Sequence, residues 1–194
     1  MKKKLILIAA PPACGKNYVA ELICNSFESI VYLDKDDLAK LLRRSFELSG
    51  ETVNMDGEFY LKNLRTVEYG TLMDLAFSAL RFSDKVLVNA PFLREVRDVN
   101  YMRGLKHSAE KLGAELILVW VLASANACYE RMKKRNSNRD QIKLSNWDEY
   151  LKTTDRSVPK ELEEFSAFDK LFVFDNENDK TAKASLENFL NMLV

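Results

Sequence analysis

Short apolar runs alternate along this chain with segments in which apolar residues recur at helical spacing. The runs predict five β-strands, at residues 4–9, 29–33, 85–90, 114–122 and 170–174. Several of them lack the alternation of a half-exposed strand, as expected when helices cover both faces of a parallel sheet. The pattern therefore predicts an α/β fold built of βαβ units, a five-stranded parallel sheet with helices on both sides.

Helical periodicity fills the segments between these strands. It predicts helices over residues 15–27, from near Asp36, and over 59–82, 95–112, 124–135, 147–165 and 180–193. Ser124 is a predicted N-cap, Gly113 a predicted helix stop, and a break is expected before Pro159. Residues 136–146 are polar and basic and predict a loop or a short lid.

Length, net charge and cysteine content indicate the general class of protein but not its binding partner. The 194 residues form one predicted domain, 1–194, and the formal net charge of zero gives no global signal for nucleic acid or membranes. The cysteines Cys14, Cys24 and Cys128 lack metal-ligand spacing, which favours reduced thiols and a cytoplasmic protein. The apolar run after Lys4 is interpreted as a buried strand, not as a signal peptide.

The most informative motif joins the first strand to the first helix. A strand, a tight loop ending in Gly15-Lys16 and a helix make a phosphate-binding loop, in which backbone N–H groups surround phosphates. Lys16 would place its charge on the β- and γ-phosphates of a nucleotide, as catalytic and binding residue. The predicted phosphate-contacting residues are Ala10, Pro11, Pro12, Ala13, Cys14, Gly15, Lys16, Asn17 and Tyr18. The alternative is a proline-rich turn with a solvated lysine.

Carboxylates cluster where the second predicted strand ends. Asp34, Asp36 and Asp37 lie at the carboxyl edge of a parallel sheet, where ligands bind in open α/β folds. A carboxylate there can accept the proton of a hydroxyl that attacks a phosphoryl group. We predict that at least one of these carboxylates is such a base and that Asp34 and Asp37 contact the substrate. The alternative for Asp34 or Asp36 is helix N-capping.

Two asparagines occupy positions where a magnesium site is expected. Asn17 follows the lysine, where a Ser or Thr hydroxyl usually reaches Mg²⁺. Asn89 ends the third predicted strand, where an acid often holds Mg²⁺ through water, and we predict a water-mediated metal role for it. Arg94 follows this strand in the sequence and could reach the substrate. The alternative is a solvated position on the surface.

A basic segment near residue 131 is a predicted lid. Arg131, Arg135 and Arg139 recur every fourth residue, on one face wherever a helix persists. A mobile basic segment over residues 131–146 could close on the phosphates, with Arg131 and Arg135 catalytic and Arg139 binding the nucleotide. A basic run on its own is usually a solvated surface.

Together these motifs resemble the P-loop kinase group of P-loop NTPases, especially the polynucleotide-kinase-like and zeta-toxin-like small kinases. The resemblance is carried by Ala10–Lys16, by the acidic cluster, by residues 86–92 and by residues 129–139. It implies a P-loop NTPase three-layer α/β/α fold, ATP and Mg²⁺ as ligands, and Asp36 as the residue that deprotonates the acceptor.

By this resemblance the chain is expected to transfer the ATP γ-phosphoryl group to a hydroxyl or phosphate of a small molecule held by residues 43–82. Two alternatives stay open. The two asparagines favour a catalytically weak or inactive nucleotide-binding protein. A 5′-hydroxyl nucleic-acid kinase is less favoured, because Ala39 stands where that family often has an arginine and the net charge is neutral. The oligomeric state is not indicated.

Overall fold

The apolar runs form one parallel sheet of five strands, in the order β2-β3-β1-β4-β5. In this computed structural model the described residues are 2–164 and 167–193, without the side chains of residues 138, 139, 142, 163 and 164. The strands are β1 Lys3–Ala9, β2 Val31–Asp34, β3 Lys85–Asn89, β4 Ala114–Leu122 and β5 Lys170–Asp175. This confirms the predicted strands, except that β2 begins at Val31 and not at residue 29.

Helices connect the strands and cover both faces of the sheet. The α-helices are α1 Lys16–Cys24, α2 Ala39–Leu48, α3 Arg65–Leu80, α4 Val99–Lys111, α5 Ala125–Arg135, α6 Asn138–Ser145, α7 Trp147–Thr153, α8 Lys160–Glu164 and α9 Asp179–Met192. Short 3₁₀ turns at Lys35–Leu38 and Glu95–Arg97 precede α2 and α4, and a π-helical turn at Tyr60–Leu64 precedes α3. Among the described residues, no helix is long and apolar enough to span a membrane.

The core lies in two layers because successive strand residues face opposite sides of the sheet. In β1, Leu5 belongs to the layer that contains Leu72 of α3. Its neighbour Ile6 belongs to the other layer, with Val19 of α1 and Phe189 of α9. The architecture is therefore the three-layer α/β/α sandwich expected for a P-loop NTPase.

Residues 138–145 form α6, so the loop predicted over residues 136–146 is wrong, and the short lid stays a prediction. The helix lacks an apolar period, and a polar contact holds it instead. Nε and Nη2 of Arg135 donate to both oxygens of the buried Asp140 at 2.7 Å, and Ser137 Oγ donates to the same carboxylate. The break expected before Pro159 is confirmed, because the helical stretch predicted over 147–165 divides into α7, which ends at Thr153, and α8, which begins at Lys160; Phe165 lies outside the described residues.

The sheet order brings the carboxyl ends of three strands together. Asp34 at the end of β2 is the register partner of Asn89 at the end of β3, and Asn89 is the partner of Ile8 in β1. The loop after β1, the acidic cluster after β2 and Asn89 therefore meet at one edge of the sheet, although 72 residues separate Asn17 from Asn89.

Candidate active site

The loop between β1 and α1 turns sharply through two left-handed residues. Ala13 has a φ of 63° and Gly15 a φ of 86°. At Gly15 a side chain is excluded on two grounds, because the φ is left-handed and a Cβ would lie 2.2 Å from Asn176 Nδ2. Lys16 then begins α1, so that the loop ends at a helix N-terminus, where backbone N–H groups attract anions.

Two residues from distant parts of the chain stabilise this loop by hydrogen bonds to its backbone. The carbonyl oxygen of Cys14 accepts hydrogen bonds from Asn176 Nδ2 at 2.7 Å and from Arg131 Nη1 at 3.3 Å. Arg131 Nη2 also donates to the carbonyl oxygens of Asn176, at 2.5 Å, and Glu177, at 3.3 Å. Arg131 thus ties the phosphate loop to the segment after β5, and its predicted catalytic role remains a prediction. Sequence reasoning missed Asn176.

Lys16 is a partly desolvated cation with neutral partners. Its Nζ donates to Asn89 Oδ1 and, at 3.2 Å, to Asn17 Oδ1. Burial lowers the pKa of Lys16 to about 8, although the carboxylates of Asp34 and Asp36 act in the opposite direction. Among the described residues, no carboxylate lies within 4.0 Å of this ammonium group. A partly buried ammonium group whose hydrogen-bond partners are amide oxygens is a suitable partner for a phosphate anion.

Asn89 connects this cation to the acidic cluster. The fully buried amide accepts from Lys16 and places its Nδ2 2.6 Å from Asp34 Oδ2, 2.8 Å from Tyr32 Oη and 3.1 Å from Asn17 Oδ1. Burial raises the pKa of Asp34, but hydrogen bonds from Tyr32, the Asp36 N–H and Asn89, with the charge of Lys16, hold that pKa below its ordinary value. Asp34 is therefore ionised at neutral pH.

The oxygens at this edge fit a magnesium ion that takes most of its ligands from phosphates and water. Asn17 Oδ1 and Asp34 Oδ2 both accept a hydrogen bond from Asn89 Nδ2, at 3.1 Å and 2.6 Å. Mg²⁺ is commonly held by one or two carboxylates together with substrate phosphates. In the part of the chain that the structure describes, no group of three or more His, Cys, Asp or Glu could hold a metal. The water-mediated role of Asn89 stays a prediction.

Asp34 and Asp36 differ in their surroundings. Asp34 caps the 3₁₀ turn Lys35–Leu38 by accepting the backbone N–H of Asp36 at 2.9 Å, which confirms the capping alternative for Asp34. The Asp36 side chain is 72% exposed, with Oδ1 3.6 Å from Lys35 Nζ, and Asp37 is also exposed. Asp36 is thus the more accessible of the two carboxylates for an incoming hydroxyl group, and its role as base remains a prediction.

A buried glutamate that sequence reasoning missed fixes the lysine beside Asp36. Glu68 of α3 has no exposed side-chain surface and accepts hydrogen bonds from Lys35 Nζ, at 2.9 Å, and from the hydroxyl group of Tyr60. The signal was available in the sequence, because Glu68 interrupts an apolar helix face between Leu64 and Leu72. A carboxylate at such a position needs a charged partner.

Of the remaining predicted arginines, the structure describes the side chains of Arg94 and Arg135. Arg94 is exposed just before the 3₁₀ turn Glu95–Arg97, and its predicted substrate contact stays a prediction. Arg135 is occupied by Asp140. The side chain of Arg139 lies outside the described residues. The structure therefore brings Arg131 to the phosphate loop and gives Arg135 a partner in α6.

A cleft of about 500 Å³ lies within the region predicted to hold the acceptor. Phe46 and Phe59 line it, with ring centroids 5.4 Å apart, beside Glu51 and the ion pair of Glu58 and Lys62. Its volume falls within the range of small-molecule sites, and its lining offers apolar surface with a few charged groups.

Comparison with known proteins agrees with the fold. The sequence pattern of a family described as AAA domain matches residues 5–156. A candidate kinase from Chloroflexus aurantiacus superposes with a TM-score of 0.62 at 15% identity, over 98% of this chain and 98% of that one. A chain of the PezAT toxin–antitoxin system of Streptococcus pneumoniae superposes with a TM-score of 0.61 at 16% identity, over 99% and 86%.

The APS kinase CysC of Mycobacterium tuberculosis, solved with AMPPNP and APS, has a TM-score of 0.52 at 14% identity, over 100% of this chain and 99% of that one. No curated protein matches the sequence. At these identities the structural likeness shows the fold, which is that of the small P-loop kinases.

Proposed function

This chain belongs to the AAA domain family, and we propose that it is an ATP-dependent phosphotransferase whose acceptor is a hydroxyl or phosphate group of a small molecule. One observation carries the proposal. A single hydrogen-bond network joins the ammonium group of Lys16, at the end of a phosphate loop, to the ionised Asp34 through Asn89. Asp36 lies in the turn that follows β2, so the groups proposed to bind phosphate and to accept the proton share one edge of the sheet.

The binding half of the reaction rests on the loop. Its backbone N–H groups and the N-terminus of α1 would receive the phosphate oxygens, and Lys16 would exchange its amide partners for the β- and γ-phosphates. Arg131 and Asn176 would keep the loop in this conformation by holding the Cys14 carbonyl. Mg²⁺, held by Asn17 and Asp34, would supply neutralising charge to the phosphates when bound.

The transfer half rests on Asp36. As the acceptor oxygen forms its bond to the γ-phosphorus, the bond from phosphorus to the bridging oxygen of ADP breaks. The carboxylate of Asp36 takes the proton that the acceptor hydroxyl loses, and Lys35, anchored by the buried Glu68, stands beside that carboxylate. The APS kinase of similar fold was solved with AMPPNP and APS, which supports a site that holds a nucleotide and a second small molecule.

The acceptor is proposed to bind in the region of residues 43–82. The cleft lined by Phe46 and Phe59 supports a molecule with an apolar face and polar groups. A nucleic-acid acceptor is not favoured, because the net charge is zero. Binding to the phosphates of a nucleic acid depends on clustered lysine and arginine side chains.

A second candidate function follows from the two asparagines. Asn89 places a neutral amide at the end of β3, and Asn17 offers an amide where a hydroxyl is usual. A protein that binds ATP without transferring its phosphoryl group would retain the loop and tolerate both residues.

An acceptor screen distinguishes the two functions. The protein is incubated with ATP, Mg²⁺ and nucleosides, sugars, amino sugars or oligonucleotides, and ADP formation is measured against Lys16→Met as the control. Acceptor-dependent ADP formation by the native protein alone supports the phosphotransferase. Binding of a non-hydrolysable ATP analogue without ADP formation supports the binding protein, and absence of analogue binding contradicts both.

A further inference from the structure

Two cysteines meet beneath the phosphate loop. Cys14 lies within the loop and Cys128 on α5, 114 residues apart, and their sulfur atoms are 3.7 Å from each other. Both side chains are completely buried. A disulfide bond has a sulfur–sulfur distance of about 2.05 Å, so the two sulfur atoms are close enough to bond after a small movement of the loop.

The surroundings of the pair favour one thiolate. A hydrogen bond from the Cys14 thiol lowers the pKa of Cys128 to about 6, against burial, and Arg156 and Arg131 act in the same direction. The same hydrogen bond, with burial, raises the pKa of Cys14 above its usual range. The nitrogen atoms of the Arg156 guanidinium group are buried. This group lies 5.8 Å from the Trp147 ring centroid and 5.7 Å from that of Tyr150, and both its charge and a hydrogen bond to Cys128 favour the thiolate.

We propose that Cys14 and Cys128 are an oxidation site, at which a peroxide closes a disulfide that removes the phosphate loop from its nucleotide-binding conformation. The Cys128 thiolate attacks one oxygen of hydrogen peroxide, the O–O bond breaks, and a sulfenic acid and hydroxide form; the hydroxide takes a proton from solvent and becomes water. Cys14 then attacks the sulfenic sulfur, the S–O bond breaks, and a second water leaves. Two thiols lose two electrons to one peroxide, which yields one disulfide and two waters.

The consequence follows from the position of Cys14 between Ala13 and Gly15. These neighbours have positive φ angles, and the Cys14 carbonyl is held by Arg131 and Asn176. Movement of Cys14 toward α5 therefore disturbs the backbone N–H groups that would surround phosphates. Peroxide reaches the buried pair when the loop opens, so a ligand that keeps the loop closed slows the reaction.

Peptide mapping after peroxide treatment tests the site without any nucleotide. The native protein is treated with hydrogen peroxide, the free thiols are blocked, and linked peptides are identified by mass spectrometry. We expect a cross-link between Cys14 and Cys128 that dithiothreitol reverses. Cys24→Ser is the matched control, because this half-buried cysteine on the same helix–loop unit lies outside the pair, and the variant should cross-link as the native protein does.

Nucleotide affinity tests the consequence. ADP binding to the native protein should weaken on oxidation by a factor within the roughly 5- to 150-fold range of coupled sites, and should recover on reduction. Cys128→Ser should bind ADP equally before and after peroxide; Cys128→Ala replaces it if the serine variant does not fold.

Two outcomes would overturn the proposal. In the first, peroxide oxidises Cys24 while the thiols of Cys14 and Cys128 stay free. In the second, the cross-link forms but the ADP affinity is unchanged. This second measurement rests on the proposed function, whereas the peptide map does not. If the reduced protein fails to bind ADP, the proposed function fails, and the map still decides whether the cysteines form the site.

Discussion

The lowered pKa of Lys16 predicts that nucleotide binding takes up a proton. In the free protein, burial lowers the pKa of this amine to about 8. In a complex, the phosphates stabilise the charged form and raise that pKa, while the ADP phosphates are already ionised, because phosphate monoesters have a second pKa of about 6. Above pH 8 the free amine is mostly neutral, so binding requires protonation and the affinity falls as the pH rises.

The magnitude follows from the pKa of about 8 in the free protein, with the amine taken as fully charged in the complex over this pH range. At pH 8 half of the free molecules carry the proton, so binding takes up about 0.5 proton; at pH 7 it takes up about 0.1. The Kd for ADP should rise about tenfold between pH 7 and pH 9, which corresponds to about 1.4 kcal/mol.

Calorimetric titration with ADP in buffers of different ionisation enthalpy measures the proton uptake directly. Lys16→Arg is the control, because its guanidinium group stays charged over this range and its binding should take up no proton from residue 16. A native protein whose ADP affinity is constant from pH 7 to pH 9 would refute the reasoning, as would equal proton uptake by the arginine variant.

Three further substitutions have expected outcomes. Asn17→Ser should lower the Mg²⁺ concentration for half-maximal ATP turnover, because a hydroxyl group crowds an octahedral ion less than an amide does; an unchanged metal titration would show that Asn17 does not face the ion. Gly15→Ala should reduce the free energy of unfolding by about 1–3 kcal/mol and weaken ADP binding, whereas Gly104→Ala, whose Cβ meets no atom within 4 Å, should be neutral or stabilising in chemical denaturation. Arg135→Ala should lower the free energy of unfolding by no more than the lower end of the range typical of breaking a buried pair, about 3–5 kcal/mol. The effect is limited because Arg135 is 42% exposed, although Asp140 is buried. An unchanged denaturation midpoint would contradict the role given to this pair.

The sheet could be predicted from the sequence because its strands are buried on both faces. Residues such as Leu5 and Val86 lie in unbroken apolar runs. Such runs are typical of strands covered on both faces, whereas a helix with one exposed face does not require them. The helix α6 could not be predicted in this way, since it has no apolar stripe. It depends on the pairing of Arg135 with a buried Asp140, and a polar sequence does not reveal which of its carboxylates is buried.

The candidate site was predictable where one contiguous motif forms it. The phosphate loop around Gly15 and Lys16 is local, and a strand, loop and helix specify its shape. The contacts that complete the site join residues far apart in the chain, such as Asn176 with Cys14 and Glu68 with Lys35. These pairs depend on how the helices and loops pack around the sheet, which the pattern of single segments does not contain.

The most direct test of the phosphotransferase proposal follows the γ-phosphoryl group itself. ATP labelled on the γ-phosphate is mixed with the native protein, Mg²⁺ and the acceptor panel, and the label is traced to acceptor, water or ATP. The account predicts label on one acceptor, with transfer slowed roughly 10²–10⁴-fold in Asp36→Asn while ATP affinity is unchanged. Label that remains in ATP, or appears only as inorganic phosphate in a protein that binds ATP, would contradict it.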